Sequence, residues 1–68
     1  MEVFVNKIPY QFSQVELKLS FLLSELQLLQ KRGIAVALNN RVIPRSEWTA
    51  TTVSESSHVT IVTASQGG

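Results

Sequence analysis

The chain of 68 residues contains no cysteine. That excludes a disulfide scaffold, a thiolate-bound metal and a thiol nucleophile. Acidic residues are few: Glu2, Glu16, Glu25, Glu47 and Glu55. None is spaced to pair two carboxylates or to build a metal site. The single histidine, His58, sits beside Ser56 and Ser57 with no acid placed to orient it, and reads as an exposed residue at the start of a strand. Glycine is nearly absent from the body of the chain: Gly33 and the terminal pair Gly67-Gly68 are all there is, so no glycine-rich loop can cradle a phosphate. Charge is sparse too, 16% of residues with a net charge of +1, and Lys7, Lys18, Lys31, Arg32, Arg41 and Arg45 are scattered rather than striped. Nucleic acid is therefore not expected as a partner. No apolar run approaches the roughly 20 residues that cross a bilayer, and Met1-Glu2-Val3 opens without the basic and apolar regions of a signal peptide. No membrane association is expected, and the expected location is cytoplasmic.

What is present is an ordinary globular composition, 44% hydrophobic. A domain of this size buries only about 60% of the surface its unfolded chain exposes, which leaves no room for a deep catalytic cleft. Met1, Val3 and Val5 alternate with Glu2, Phe4 and Asn6, a strand pattern. A turn at Asn6-Lys7-Ile8-Pro9 and a second extended stretch at Tyr10-Gln11-Phe12 complete an N-terminal hairpin. From Val15 the period changes: Val15, Leu19, Leu22, Leu23, Leu26 and Leu29 share one side of a helix. Ser13 with Glu16 has capping-box spacing, Ser20 offers a later start, and Lys31-Arg32-Gly33 suits a helix C-terminus. Phe21 and Leu28, with Leu17, fall opposite that stripe and are expected to be covered by the segment Trp48 to Ser57.

Ile34–Leu38 then reads as a buried strand, Asn39-Asn40 as a turn tolerant of positive φ, and Arg41–Ile43 as a return strand that Pro44 ends. A short helical turn is expected near Ser46-Glu47-Trp48, and a last strand over 58–64. The predicted fold is α+β, a mixed sheet of about four to five strands packed on one helix. Residues 1–64 form the domain and 65–68 a flexible tail. If Val3, Val5, Val59 and Ile61 face the helix, alternation turns Phe4, Thr60 and Val62 to the open face, where they can dock a partner. The tail Ser65-Gln66-Gly67-Gly68 has nothing to bury. A Gly-Gly end lacks Cβ atoms, so it is thin enough to enter a narrow channel and bring the Gly68 carboxylate to a nucleotide phosphate.

The block Ala37-Leu38-Asn39-Asn40-Arg41-Val42-Ile43-Pro44-Arg45-Ser46-Glu47-Trp48, with Gly67-Gly68 at the end, resembles the sulfur carrier proteins of thiamine biosynthesis, the ThiS family. Where that family usually carries an acidic-Gly-Asp turn before the last strand, this chain has Glu55-Ser56-Ser57. The resemblance implies a ubiquitin-like β-grasp fold and a protein that is a substrate of enzymes rather than an enzyme. An adenylating partner related to ubiquitin-activating enzymes would use ATP to join AMP to Gly68. Sulfur from a cysteine desulfurase route would then give a thiocarboxylate, which passes sulfur to thiazole synthase. Arg45 could form a salt bridge to the adenylating partner. No bound cofactor or metal is implied. Trp48 matches the family motif, yet it reads first as a core residue. Three alternatives stay open: the small subunit of molybdopterin synthase, a ubiquitin-like modifier joined to lysines, and a binding domain whose tail is irrelevant.

Overall fold

The computed structural model describes residues 1–63, so the expected tail and Ala64 lie outside the described residues. Strand β1 (Glu2–Val5) turns through Asn6 and Lys7 into β2 (Ile8–Gln11). Both turn residues have positive φ, 50° and 70°, the pattern of a two-residue type I′ hairpin. The sequence predicts a turn running through Pro9, but Pro9 lies within β2 opposite Phe4. Proline is tolerated there because β2 is an edge strand, where a missing N–H leaves no neighbour unpaired.

The helix differs most from expectation. Glu16–Lys18 forms a short strand, β3, and α1 spans Leu19–Glu25 only. Neither Ser13 nor Ser20 caps α1, which has no side-chain cap. Its first N–H groups are satisfied from elsewhere: Leu19 N–H donates to the Thr51 carbonyl at 2.8 Å and Ser20 N–H to the Trp48 carbonyl at 3.1 Å. The helix ends well before Gly33. Gln27 takes the left-handed conformation at φ 61°, its N–H reaches the Ser24 carbonyl at 3.0 Å, and Leu28 N–H reaches the Leu23 carbonyl at 2.7 Å. Those two bonds are a Schellman ending with glutamine in the place glycine usually holds. Gly33 does adopt positive φ, 74°, but it leads into β4 rather than closing the helix.

Strands β4 (Ile34–Leu38) and β5 (Arg41–Ile43) are joined by Asn39-Asn40, both left-handed as expected. A 3-10 turn (Arg45–Glu47) follows, then β6 (Thr52–Ser54), a strand the sequence reading does not contain, and β7 (His58–Thr63). The main sheet has five strands in the order β2-β1-β7-β4-β5. Strand β1 runs parallel to β7 and the remaining pairs are antiparallel. This is the mixed sheet on one helix of the β-grasp fold. Strands β3 and β6 form a separate two-stranded ribbon, with Leu17 opposite Val53.

One face of the main sheet meets α1. Val3, Val36 and Val59 from the sheet, Leu19, Leu22 and Leu23 from the helix, and Val53 from the ribbon are almost wholly buried. Each such side chain contributes roughly 1.5–3 kcal/mol of hydrophobic stabilisation. Leu17 is covered by β6, as expected of that segment, whereas Phe21 stays 40% exposed. No helix among the described residues is long and apolar enough to cross a membrane.

Candidate functional site

Strand β7 is central, with β1 on one side and β4 on the other. Its alternation sends Val59 into the core and leaves His58, Thr60 and Val62 exposed. Phe4 joins them from β1, because the parallel register sets it beside His58. Their rings stack with centroids 4.7 Å apart and planes inclined by 13°. Phe4, Thr60 and Val62 thus lie together on the open face, as the alternation predicts.

The register adds residues to that face which the sequence reading did not assign. Ala35 stands opposite Val62, and Ala37 is paired with Thr60 on one side and Val42 on the other. The alanines keep the surface low, so Val62, 57% exposed, and Val42, 68% exposed, stand above it. Val42 was legible in principle: it alternates with buried Ile43 in a three-residue strand. His58 is exposed as expected, and its stacking on Phe4 makes it part of the same surface.

Arg45 does not belong to this group. Its guanidinium donates to the Leu29 carbonyl at 2.9 Å and the Lys31 carbonyl at 2.7 Å, and lies 4.4 Å from the centre of the Trp48 ring. Trp48 is itself buried and donates its indole N–H to the Ile43 carbonyl at 2.9 Å. The Pro44-Arg45-x-x-Trp48 element therefore clamps the exit of β5 to the loop between α1 and β4. A guanidinium committed to two carbonyls and a ring face is holding the fold together.

The turn into β7 fixes the sheet's registration. Ser56 sits in the left-handed region at φ 66° and donates its N–H to the Glu2 carbonyl at 2.8 Å. The buried Ser57 accepts at Oγ from Ser54 N–H at 3.2 Å, while Phe4 N–H donates to the Ser57 carbonyl at 2.9 Å. Serine here adopts the backbone conformation glycine favours. The described residues end at Thr63 within β7, and the expected attachment residues Ser65, Gln66, Gly67 and Gly68 lie outside them. No cluster of three or more histidine or acidic residues suited to a metal occurs among the described residues.

A packed layer carries a low open face of Phe4, His58, Thr60, Val62 and Val42, and its central strand precedes Gly67-Gly68 in the sequence. Among solved structures, the chain is similar to the crystal structure of thiamine biosynthesis protein ThiS from Geobacter metallireducens, with 32% identity, full coverage of both chains and a TM-score of 0.87. It is also similar to the solution structure of a thiamine biosynthesis protein from the same organism, again at 32% identity, covering all of this chain and 88% of that one with a TM-score of 0.77. No curated protein matches it. The family model that matches, described as ThiS family, spans residues 4–68 and so includes both the open face and Gly67-Gly68. The chain belongs to the ThiS family.

Proposed function

We propose that this protein is a sulfur carrier of thiamine biosynthesis, with the Gly68 carboxylate as the group that carries the sulfur. The observation that carries the reading is the family match over residues 4–68, which includes Gly67-Gly68. The described surface supports it by what it offers: a docking face in line with the strand that leads to the tail, and no thiol anywhere in the chain to hold sulfur in another way.

In the proposed cycle a carboxylate oxygen of Gly68 attacks the α-phosphorus of ATP on an adenylating partner enzyme, and pyrophosphate leaves. The acyl adenylate is a far better electrophile than the carboxylate. A cysteine desulfurase route supplies sulfur as a protein persulfide, whose terminal sulfur displaces AMP to give an acyl disulfide. A thiol then attacks the persulfide protein's own sulfur in that S–S bond, forming a mixed disulfide and releasing the Gly68 thiocarboxylate. That soft sulfur nucleophile is passed to thiazole synthase. The domain positions one end of its own chain and performs no bond chemistry with its side chains. Phe4, Thr60 and Val62 are the residues proposed to meet the adenylating partner, and Arg45 is retained as structural support.

Intact-mass measurement tests the reading. Incubation with the cognate adenylating enzyme, ATP and a sulfur source should add about 16 Da, the difference between sulfur and oxygen, and a chain lacking Gly68 should gain nothing. A wild-type mass that stays unchanged under conditions where a known carrier is converted would overturn it.

A further inference from the structure

Strand β7 extends past its neighbour. Its register with β1 ends at Val5 opposite Val59, because the chain turns away at Asn6 and Lys7 to begin β2. In a parallel ladder, a residue that donates its N–H to one residue of the adjacent strand accepts, at its own carbonyl, from the residue two further along. Asn6 begins this pattern, since its backbone N–H donates to the Val59 carbonyl at 2.8 Å. Its positive φ of 50° then diverts the backbone, and the next partner on β7, Ile61, meets the side chain instead. Ile61 N–H donates to Asn6 Oδ1 at 2.8 Å, and Asn6 Nδ2 donates to the Ile61 carbonyl at 3.2 Å.

The Asn6 carboxamide thus stands where the next peptide group of β1 would have stood. Its oxygen replaces the backbone carbonyl of Asn6, and its NH₂ replaces the N–H that a continuing strand would have supplied. Among side chains only the carboxamides of asparagine and glutamine place an N–H donor and a carbonyl acceptor in one planar group, as a peptide group does. Asparagine also tolerates the left-handed conformation that the turn requires. The effect is to hold β7 on both edges as far as Ile61, with β4 pairing its opposite edge through Thr63.

We infer that Asn6 is a positioning residue for the carrier reaction: by extending the β1–β7 ladder with its side chain, it fixes the line along which β7 delivers the C-terminal segment to the partner's nucleotide site. The inference rests on the carrier function proposed above. It assigns Asn6 a role separate from the proposed docking by Phe4, Thr60 and Val62, because Asn6 acts on the edge pairing of β7 at Ile61 and not on the open face. Misplacement of a reacting group by about 1 Å can lower a rate by as much as 100-fold.

The test uses the full chain with Asn6→Gly and Asn6→Asp. Glycine keeps the turn, since it accepts φ of 50° freely, and removes both side-chain bonds. Aspartate keeps an acceptor for Ile61 N–H and places a second acceptor against the Ile61 carbonyl. Amide exchange at Ile61 should accelerate by about tenfold or more in Asn6→Gly and remain close to wild type in Asn6→Asp. Pyrophosphate release by the adenylating enzyme should show kcat lowered by about tenfold in Asn6→Gly, with KM changed less than about twofold, and an intermediate kcat in Asn6→Asp. Faster exchange with unchanged kcat, or a change confined to KM, overturns the positioning role while leaving the carrier function intact. Failure of the wild-type chain to support pyrophosphate release overturns the carrier function, and the role of Asn6 with it.

Discussion

The two faces of the five-stranded sheet are made by alternate residues of the same strands, yet they answer to different constraints. On the helix side, Val3, Val36 and Val59 are sealed under Leu19, Leu22 and Leu23. On the open side, Phe4, His58, Thr60, Val62 and Val42 meet solvent over a floor of alanines. A volume change on the first face alters packing at interior density, where few voids can absorb it. A change on the second face alters only what meets solvent. The separation lets a very small domain vary its contacts without loosening its core.

The largest effect expected in any test of this separation comes from the core. Trp48→Ala removes a buried ring, its hydrogen bond to the Ile43 carbonyl and the platform under Arg45, and should destabilise the fold by roughly 3–5 kcal/mol in denaturant unfolding. A loss under 1 kcal/mol would show that the covered face is less tightly organised than its burial indicates. Val62→Lys addresses the other face. It should change unfolding stability by less than about 1 kcal/mol, because the side chain is already mostly exposed. Affinity for the adenylating enzyme in a titration should nevertheless weaken about tenfold, or 1.4 kcal/mol. Equal losses of stability and affinity would break the contrast between the faces. The smallest effect belongs to the turn that joins them: Ser56→Gly relieves a left-handed serine and should raise stability by up to about 1 kcal/mol in thermal unfolding, with docking unchanged.

The parts of this fold that the sequence discloses are those governed by local chemistry. Strand alternation identified Val3, Val5 and Val59 as buried and Phe4, Thr60 and Val62 as their opposites, and Asn39-Asn40 declared its own turn. The helix was misplaced because Val15 to Leu19 satisfies two periods at once. A helical stripe puts Val15 inside and Leu17 outside, whereas strand alternation groups Leu17 with Leu19 on the buried side. The strand reading prevails over Glu16–Lys18, where Leu17 is 7% exposed, while Val15, in the bend before β3, is 86% exposed. What decides between them is the partner strand β6, remote in sequence and drawn from a polar Ser/Thr-rich segment with a weak signal of its own. The early helix end is equally hard to foresee, since Gln27 carries none of the marks of a left-handed cap. At the candidate site, Gly67-Gly68 and the family motif were plain in the sequence. The anchoring of the motif's Arg45 is not legible, because its acceptors, the carbonyls of Leu29 and Lys31, are backbone atoms that side-chain chemistry does not reveal.

The central place of β7 has a consequence for how the protein comes into being. The hairpin β1–β2 and the hairpin β4–β5 share no edge, and they are joined into one sheet only through residues 58–63. As the chain leaves the ribosome, both hairpins must wait for a strand that follows them in the sequence, and long-range pairing of this kind is intrinsically slow. A chain terminated before β7 would lack both the open face around Thr60 and Val62 and the strand that precedes Gly68 in the sequence. Synthesis thus carries a check of its own: the five-stranded sheet forms only on chains that have reached β7.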